Sequence, residues 1–267
     1  MTSDGRVVVV TGASGGIGAS LARALAGKGD RVVLAARRGP ELEAVARSCP
    51  GAIAVRADVT RRAEVEAIRE RAIAAFGRVD AWVNNAGRGI SRSVLELTDE
   101  DLDEMWAVNV KSAVYGAQAI VPHFRERGRG HLVNVSSFLG RVPLVSPRAA
   151  YSGAKAALNA ITAGLRAELR GTPGIHVSLV MPGIVLTDFG RNARGAPPDA
   201  QQPRPSGPMA PQTTDEVAAV IAGVLDHPAA DVYSQPALHG IAQRYYADVE
   251  AFERQASPVG AGGVRRE

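Results

Sequence analysis

Cysteine is almost missing from this chain of 267 residues, which contains only Cys49. A single cysteine excludes an intramolecular disulfide and any cluster of thiolates that could hold a metal ion. Because stable disulfides mark oxidising compartments, their absence is typical of a cytoplasmic protein. The five histidines are not spaced as metal ligands, so we expect no metal-dependent reaction.

Long apolar runs are also missing. No stretch of about 20 apolar residues occurs, so we expect no membrane span. The first residues, Met-Thr-Ser-Asp-Gly, have no basic start followed by an apolar core, and we therefore expect no signal peptide.

Lysine is scarce, with three residues among the 31 basic ones, and the formal net charge is +4. The arginines are scattered along the chain rather than gathered in a tail or on one segment. Proteins that bind nucleic acid more often cluster their positive charge. We therefore expect no nucleic-acid partner.

Short apolar segments and helical patterns alternate along the chain. Strands are predicted at 6–11, 31–35, 52–56, 81–84, 131–135 and 176–181, with a last edge strand at 231–234. Helices are predicted at 17–26, 40–47, 61–76, 99–126, 149–170, 214–225 and 243–255. Strands that are apolar on both faces and separated by helices predict an α/β fold, a doubly wound (Rossmann) parallel sheet with helices on both faces.

The domain organisation follows from this alternation. One domain is predicted over residues 1–256, and 257–267 is predicted to be a disordered tail. The segment 188–212 interrupts the rhythm with three glycines and a group of prolines. A long loop inside a compact domain is usually functional, and we expect a substrate lid here, after the sixth strand.

A glycine-rich segment joins the first predicted strand to the first helix. Gly12 permits a tight turn, Gly16 allows the backbone to approach a pyrophosphate, and Gly18 allows the helix to pack close to the strand. The helix N-terminus then presents free N–H groups to phosphate. This strand–turn–helix context predicts a dinucleotide site.

Further motifs follow in a fixed order. They are 11–18 (TGASGGIG), 84–87 (NNAG), Asn109, Ser137, Tyr151 with Lys155, and 182–187 (PGIVLT). Together they resemble the short-chain dehydrogenase/reductase family, and the resemblance covers residues 5–190. It implies an enzyme that interconverts a ketone or aldehyde and an alcohol with a nicotinamide cofactor.

The resemblance implies four catalytic residues: Asn109, Ser137, Tyr151 and Lys155. Tyr151 and Lys155 lie four residues apart on a predicted helix and so share one face. An ammonium group about 4 Å from the phenol contributes ~4 kcal/mol at an effective dielectric constant near 20, which favours a lower tyrosine pKa. Ser137 is chosen over Ser136 from an S-x-x-G pattern, but the spacing to Tyr151 is one residue longer than usual, so Ser136 stays an alternative.

The resemblance also implies a set of cofactor-binding residues. Besides Tyr151 and Lys155, they are Gly12, Ser14, Gly16, Ile17, Gly18, Arg37, Arg38, Asp58, Val59, Asn85, Ala86, Gly87, Pro182, Gly183, Ile184 and Thr187. Members that select NAD carry an acidic residue after the second strand, where this chain has Ala36 followed by Arg37 and Arg38. A guanidinium group can bind a 2′-phosphate, so NADP(H) is the predicted cofactor and Arg37 its favoured contact.

Several apolar residues near the predicted site favour a lipophilic carbonyl substrate. They are Phe138, Leu139, Val142, Leu144, Ile184 and Phe189. Reduction is the expected direction because cellular NADP pools are mostly reduced. In the family, helices corresponding to 112–126 and 151–169 pair between subunits, so a homodimer or homotetramer is expected. Two alternatives stay open, a non-catalytic NADP(H)-sensing or scaffold protein on the same fold, and a reaction without net change in the cofactor.

Overall fold

The computed structural model describes residues 5–197 and 207–255. Its centre is a sheet of seven parallel strands in the order β3-β2-β1-β4-β5-β6-β7. The strands are β1 (Val7–Thr11), β2 (Arg31–Ala36), β3 (Ile53–Arg56), β4 (Ala81–Asn84), β5 (Gly130–Val135), β6 (Ile175–Met181) and β7 (Asp231–Tyr233). The predicted doubly wound parallel sheet is confirmed.

Helices connect the strands and cover both faces of the sheet. They are α1 (Gly16–Gly27), α2 (Gly39–Arg47), α3 (Arg62–Phe76), α4 (Asp99–Trp106), α5 (Ser112–Arg127), α6 (Ala149–Glu168), α7 (Thr214–Asp226), α8 (Pro236–Ala247) and α9 (Val249–Gln255). Within the described residues, no helix is long and apolar enough to cross a bilayer.

The strands are apolar on both sides because each side of the sheet has its own core. On one side, Val8 and Val10 of β1 pack with leucines of α1 and α2 and with α7. On the other side, Val7 and Val9 pack with α3 and α5. Successive residues of one strand are therefore all buried. The alternation of apolar and polar residues that marks a strand with one exposed face is absent from the sequence.

The strand order reverses between β1 and β4, because the chain builds outward to β3 on one side and to β7 on the other. In open α/β sheets, ligands bind in the crevice at such a switch point, beyond the carboxyl ends of the strands. The segments that follow β1, β4, β5 and β6 all begin at this edge, and they contain every predicted catalytic or cofactor residue except Arg37 and Arg38 after β2 and Asp58 and Val59 after β3.

Two helical predictions were wrong in their bounds. The predicted helix 243–255 is two helices, since α8 begins at Pro236 and α9 follows a break at Asp248. Proline suits the first turn of a helix because its missing N–H has no partner there, and Asp248 adopts an extended backbone and accepts a bond from the Ala251 amide. The predicted helix 99–126 is interrupted by a π-helical turn, Ala107–Lys111.

Parts of two predicted segments lie outside the described residues. These are 198–206 within the expected lid at 188–212, and the whole of the expected tail, 257–267. The described parts of the first segment are tied to the domain. Arg194 and Gly89 share a backbone hydrogen bond of 2.9 Å, and the Gln212 amide donates to the Ile184 carbonyl at 2.8 Å.

Candidate active site

The glycine loop after β1 lies against the loop after β4. Gly12 has a left-handed backbone, with φ of 67°, and a Cβ atom there would lie 2.8 Å from the Cα atom of Ala86. A Cβ atom at Gly18 would lie 2.6 Å from Nδ2 of Asn85 and equally close to the Gly12 carbonyl. Both positions therefore require glycine, for the turn and for the close approach of helix α1.

Gly16 is the part of the loop that faces the cleft. Its φ is 55°, and a Cβ atom there would lie 3.4 Å from Cγ2 of Thr187, across the cleft. Helix α1 begins at this residue, and Gly15 before it offers no side chain to cap the first N–H groups. An uncapped helix N-terminus beside a glycine cradle fits a pyrophosphate, so the residues present fit a dinucleotide.

Asn85 and Ala86 hold the loop in place through Thr11. The Asn85 and Ala86 amides donate to Oγ1 of Thr11 at 3.0 and 3.1 Å, and Nδ2 of Asn85 donates to the Thr11 carbonyl at 2.9 Å. The hydrogen-bonding capacity of the Asn85 side chain is thereby used within the protein. Asn85 therefore supports the loop on which a cofactor would lie.

Tyr151 and Lys155 lie on α6 with both side chains buried. Nζ of Lys155 donates to the Val135 carbonyl at 2.9 Å and lies 5.8 Å from the centre of the Tyr151 ring. Burial lowers the pKa of Lys155 to about 8 and raises the pKa of Tyr151 to about 12, against the smaller lowering effects of Ser137 and Arg148. The expected lowering of the tyrosine pKa was wrong for the protein without cofactor, because desolvation outweighs the nearby charges.

Ser136 and Ser137 point to different sides of the end of β5. Ser136 is turned into the protein, where its hydroxyl donates to Oδ1 of Asn159 and to the Lys155 carbonyl. A hydrogen bond from the Ser137 side chain lowers the pKa of Tyr151, which places Ser137 at the phenol. The geometry therefore favours Ser137 over Ser136, in spite of the unusual spacing.

Asn109 occupies the π-helical turn between α4 and α5. Its Nδ2 donates to the carbonyls of Met105 (3.1 Å) and Arg88 (3.0 Å), and its Oδ1 accepts from the Arg88 amide at 3.2 Å. A Cβ atom at Gly87 would lie 3.1 Å from Oδ1 of Asn109 and 3.6 Å from Nζ of Lys155. The structure thus brings Asn109 and Lys155 close together beside Gly87.

At the opposite end of the cleft, Arg38 reaches the glycine loop. Its Nε and Nη2 lie 3.2 and 3.1 Å from Oγ of Ser14. Arg37 instead lies near Asp58: burial raises the Asp58 pKa, but bonds from Thr60 and the charge of Arg37 hold it below its usual value. The side chain of Val59, next in the chain, is buried. Of the two arginines predicted to bind the cofactor, Arg38 is the one that contacts Ser14.

The loop after β6 is held by bonds to three other segments. The Phe138 amide donates to the Pro182 carbonyl at 2.8 Å, and the Gly183 amide donates to Oγ of Ser234 at 3.3 Å. Oγ1 of Thr187 accepts from the Phe189 amide at 3.2 Å. Ile184, which is half-buried, and Thr187 follow on the side that faces the glycine loop, and Ile17 of that loop is also half-buried.

The apolar lining predicted for the substrate is smaller than expected. Phe138 and Val142 pack with Leu238, Ile241 and other residues of α8 and α9 in a separate core. These two side chains therefore anchor the C-terminal helices and do not line the substrate site. Phe189 remains at the site. Its ring centre lies 5.5 Å from that of Tyr151 in an edge-to-face arrangement.

Arg148 is a site residue that the sequence reasoning missed. It precedes Tyr151 by three residues, and its Nη1 donates to the Ile90 carbonyl at 2.9 Å. A Cβ atom at Gly89 would lie 2.8 Å from both Nη1 of Arg148 and Cε1 of Phe189, so the guanidinium group and the ring are neighbours beside the phenol. Its place three residues before Tyr151 could have signalled this, but the abundance of arginine hid it.

Metal ligation is not indicated by the geometry. Across residues 5–197 and 207–255, no group of three or more histidine, cysteine, aspartate or glutamate side chains is placed to hold a metal ion. What the arrangement offers is a cradle for a dinucleotide with a phenol, a hydroxyl and an ammonium group at one end.

Known proteins are similar to this chain in sequence and in fold. The family described as short chain dehydrogenase matches residues 6–197. An uncharacterised oxidoreductase of Staphylococcus haemolyticus is 38% identical over 195 residues, which are 70% of this chain and 84% of that protein.

Solved structures agree. A short chain dehydrogenase/reductase from Burkholderia phymatum in complex with NAD has a TM-score of 0.82 and 26% identity, over 99% of this chain and 100% of that one. L-Sorbose reductase from Gluconobacter frateurii, complexed with NADPH and L-sorbose, has a TM-score of 0.77 and 28% identity, over 86% and 95%. The chain belongs to the short-chain dehydrogenase/reductase family of oxidoreductases.

Proposed function

We propose that this chain is an NADP(H)-dependent reductase that converts a lipophilic ketone or aldehyde to an alcohol. The observation that carries the proposal is the group formed by Ser137, Tyr151, Lys155 and Asn109 at the open end of the glycine cradle. When bound, the reduced nicotinamide ring supplies a hydride to the carbonyl carbon.

Tyr151 is the proposed general acid. Its pKa of about 12 keeps the phenol protonated at neutral pH, which is the state required to donate a proton to the carbonyl oxygen. Ser137 lies at the phenol and donates a hydrogen bond to the same oxygen, and so orients the substrate. The negative charge that develops on oxygen is then stabilised by two donors fixed in advance.

Lys155 and Asn109 support the acid. With a pKa of about 8, Lys155 is an ammonium group at neutral pH, and its charge favours the phenolate that remains after proton transfer. Asn109, fixed by three hydrogen bonds in the π-helical turn, lies beside Gly87, as that ammonium group does. Lys155 can pass one of its protons to the phenolate, and we assign Asn109 the role of holding the water that returns a proton to Lys155.

The preference for NADP(H) rests on the adenosine end of the cleft. Ala36 leaves no carboxylate at the end of β2, and Arg38 with Ser14 provides three donors in one place. A guanidinium group and a hydroxyl suit a 2′-phosphate, whereas a ribose 2′-hydroxyl offers no negative charge to Arg38, whose ion pair with Glu41 is long and exposed, at 3.7 Å. Gly16 would receive the pyrophosphate at the start of α1, in the cradle that Gly12 and Gly18 shape.

We assign the segment 188–212 the role of a substrate lid. Its described start holds Phe189 against Tyr151, and its Arg194 is bonded to Asp101 and Glu104 of α4. Closing such a segment over the phenol would exclude water from hydride transfer. The apolar surface of Phe189, with half-buried Leu139 and Ile184, supports a lipophilic substrate.

Assembly and location complete the proposal. We propose a cytoplasmic homodimer or homotetramer that pairs through α5 and α6, the helices that contain the segments expected to pair. Ile161 of α6 is 38% exposed, and the described neighbourhood of Gly164 on the same helix is open, which supports a contact there.

The test is the consumption of NADPH and of NADH with a panel of ketones, aldehydes and quinones, by the native protein and by Tyr151→Phe. We expect turnover with NADPH that the substitution reduces by about 10²-fold or more, the lower bound for loss of a general acid. Turnover that survives in the variant contradicts the mechanism. Tight NADPH binding without turnover of any panel member supports the sensing alternative instead.

A further inference from the structure

The substrate end of the cleft contains a cation that the proposed mechanism does not use. Arg148 ends the short 3-10 turn Ser146–Arg148, directly before α6. Its Nη1 bonds to the Ile90 carbonyl, and a Cβ atom at Gly190 would lie 3.6 Å from its Nη2. The guanidinium group is therefore held between the loop after β4 and the start of the segment 188–212.

Arg148 differs from the other arginines around this opening in its partners. Arg88, Arg92 and Arg194 are paired with Asp101 or Glu104, and Arg191 is paired with Asp188. Among the residues that the structure describes, no carboxylate lies within salt-bridge distance of Arg148, whose one direct partner is a neutral carbonyl. Burial lowers the pKa of Arg148 against the smaller raising effect of Tyr151, as expected for a charge held partly out of water.

An uncompensated, partly buried guanidinium group is costly unless a ligand pairs with it. The bond to Ile90 uses one of its five N–H donors. The remaining ones can form the parallel pair of bonds that fits a carboxylate. Because each neighbouring arginine already has an acidic partner, one positive charge is available, which matches a monoanionic carboxylate better than a phosphate dianion.

The position of Arg148 fixes where that carboxylate would lie. Arg148 precedes Tyr151 by three residues, and each affects the pKa of the other through their charges. The guanidinium group also adjoins Phe189, whose ring lies against Tyr151. A carboxylate bound to Arg148 would thus be close to the oxygen that Tyr151 protonates.

We infer that Arg148 binds a carboxylate of the substrate, and that the substrates of this enzyme are oxo acids whose carboxylate lies close to the carbonyl group. The inference rests on the proposed reductase function and narrows it. Phe189 and Leu139 would contact the apolar part of such a substrate, while Arg148 would select the acid over a neutral ketone of the same skeleton.

The test compares 2-oxo and 3-oxo carboxylic acids of increasing chain length with their methyl esters, using NADPH. For the native enzyme we expect kcat/KM to be higher for each acid than for its ester. In Arg148→Met, the acid-to-ester ratio should fall by about 10-fold to 100-fold, the range for one charge-assisted pair. In Arg148→Lys, which keeps the charge without the planar fork, the ratio should lie between the two.

Arg191→Met is the matched control. It removes a positive charge from the same opening, but its guanidinium group is exposed and already paired with Asp188, so the ratio should stay within about twofold of the native value. An equal fall of the ratio in both variants would show a general field effect and overturn the site. An unchanged ratio in Arg148→Met would also overturn it.

Binding separates this inference from the proposed reaction. Calorimetric titration of the same acids and esters into the complex with NADP+ needs no turnover. Acids that bind more tightly than esters, with a difference lost in Arg148→Met, support the carboxylate site even if no acid is reduced, in which case the reductase proposal alone fails. Equal affinities of acid and ester for the native complex overturn the inference, whatever the turnover results.

Discussion

At the residue scale, we expect individual side chains at the adenosine end to select the nicotinamide cofactor. Arg38 lies against Ser14, whereas Arg37 lies near Asp58. Arg38→Leu should therefore lower kcat/KM for NADPH by about 10-fold to 150-fold, the value of one charge-assisted bond, and change that for NADH much less. The measurement is steady-state kinetics with both cofactors.

Arg37→Leu is the matched substitution for this experiment, since it removes an equal charge from the adjacent position. We expect it to affect NADPH less than Arg38→Leu does. A larger loss in Arg37→Leu would show that the sequence-based preference for Arg37 was correct and that Arg38 is merely a support for the glycine loop.

The titration of Lys155 gives a second prediction for a single residue. Burial lowers its pKa from 10.5 to about 8, whereas the pKa of Tyr151 is raised to about 12. The rate of carbonyl reduction should thus decline above pH 8 because Lys155 loses its proton there, while Tyr151 keeps its own. The measurement is kcat/KM for the carbonyl substrate as a function of pH.

Stability should change in the opposite direction over the same range. Between the folded pKa of about 8 and the ordinary value of 10.5, the unfolded chain binds more protons at Lys155 than the folded protein does. The contribution of this residue to the free energy of unfolding therefore rises with pH in that window. In Lys155→Arg, which stays charged, the decline of kcat/KM above pH 8 should disappear. If kcat/KM still declines in this variant, another group is responsible.

Sequence reasoning proposed the site residues because each belongs to a motif, but it could not give their electrostatic state. The spacing of Tyr151 and Lys155 predicted that they share a helix face, and they do. The sign of the tyrosine pKa shift depended on burial, which arises from packing of α6 against distant segments. Arg148 belongs to no motif, and only the loops after β4 and β6 reveal its role.

Among the secondary-structure elements, strands were the easier to predict. Each buried strand is a short apolar run bounded by charged or small residues, so β1 to β6 were placed within one residue. Helix bounds depended on local chemistry that periodicity does not contain. Helix α8 begins at Pro236. Sequence reasoning missed this start because the apolar pattern is weak there, and it placed the start of the last helix at residue 243 instead.

The π-helical turn shows how one residue alters an element. Asparagine is a poor helix former because its amide competes for backbone groups. Asn109 does so twice, by donating to the Met105 carbonyl within its own helix and by exchanging two bonds with the backbone of Arg88. The widened turn Ala107–Lys111 carries the side chain to the loop after β4.

At the scale of the whole molecule, the packed pair of helices α4 and α6 exposes large apolar side chains, which we treat as one face. Leu102 and Trp106 of α4 are both 48% exposed, and Ile161 of α6 is 38% exposed. Exposed large apolar side chains that gather on adjacent helices are typical of a protein–protein contact. We therefore expect light scattering to give two or four times the chain mass of 27.8 kDa.

Substitution on this face should dissociate the assembly. Trp106→Asp and Ile161→Asp each place a carboxylate in the expected contact, where burial without a partner is costly, and should shift the measured mass towards that of one chain. Val249→Asp is the control, because Val249 is similarly exposed, at 40%, but lies on α9 away from this face. Dissociation by Val249→Asp alone would place the interface on the C-terminal helices instead. If the native protein has the mass of one chain, neither interface exists. Since α6 carries Tyr151 and Lys155 on its buried side, a loss of activity that accompanies dissociation would show that subunit contact is needed to hold the catalytic helix.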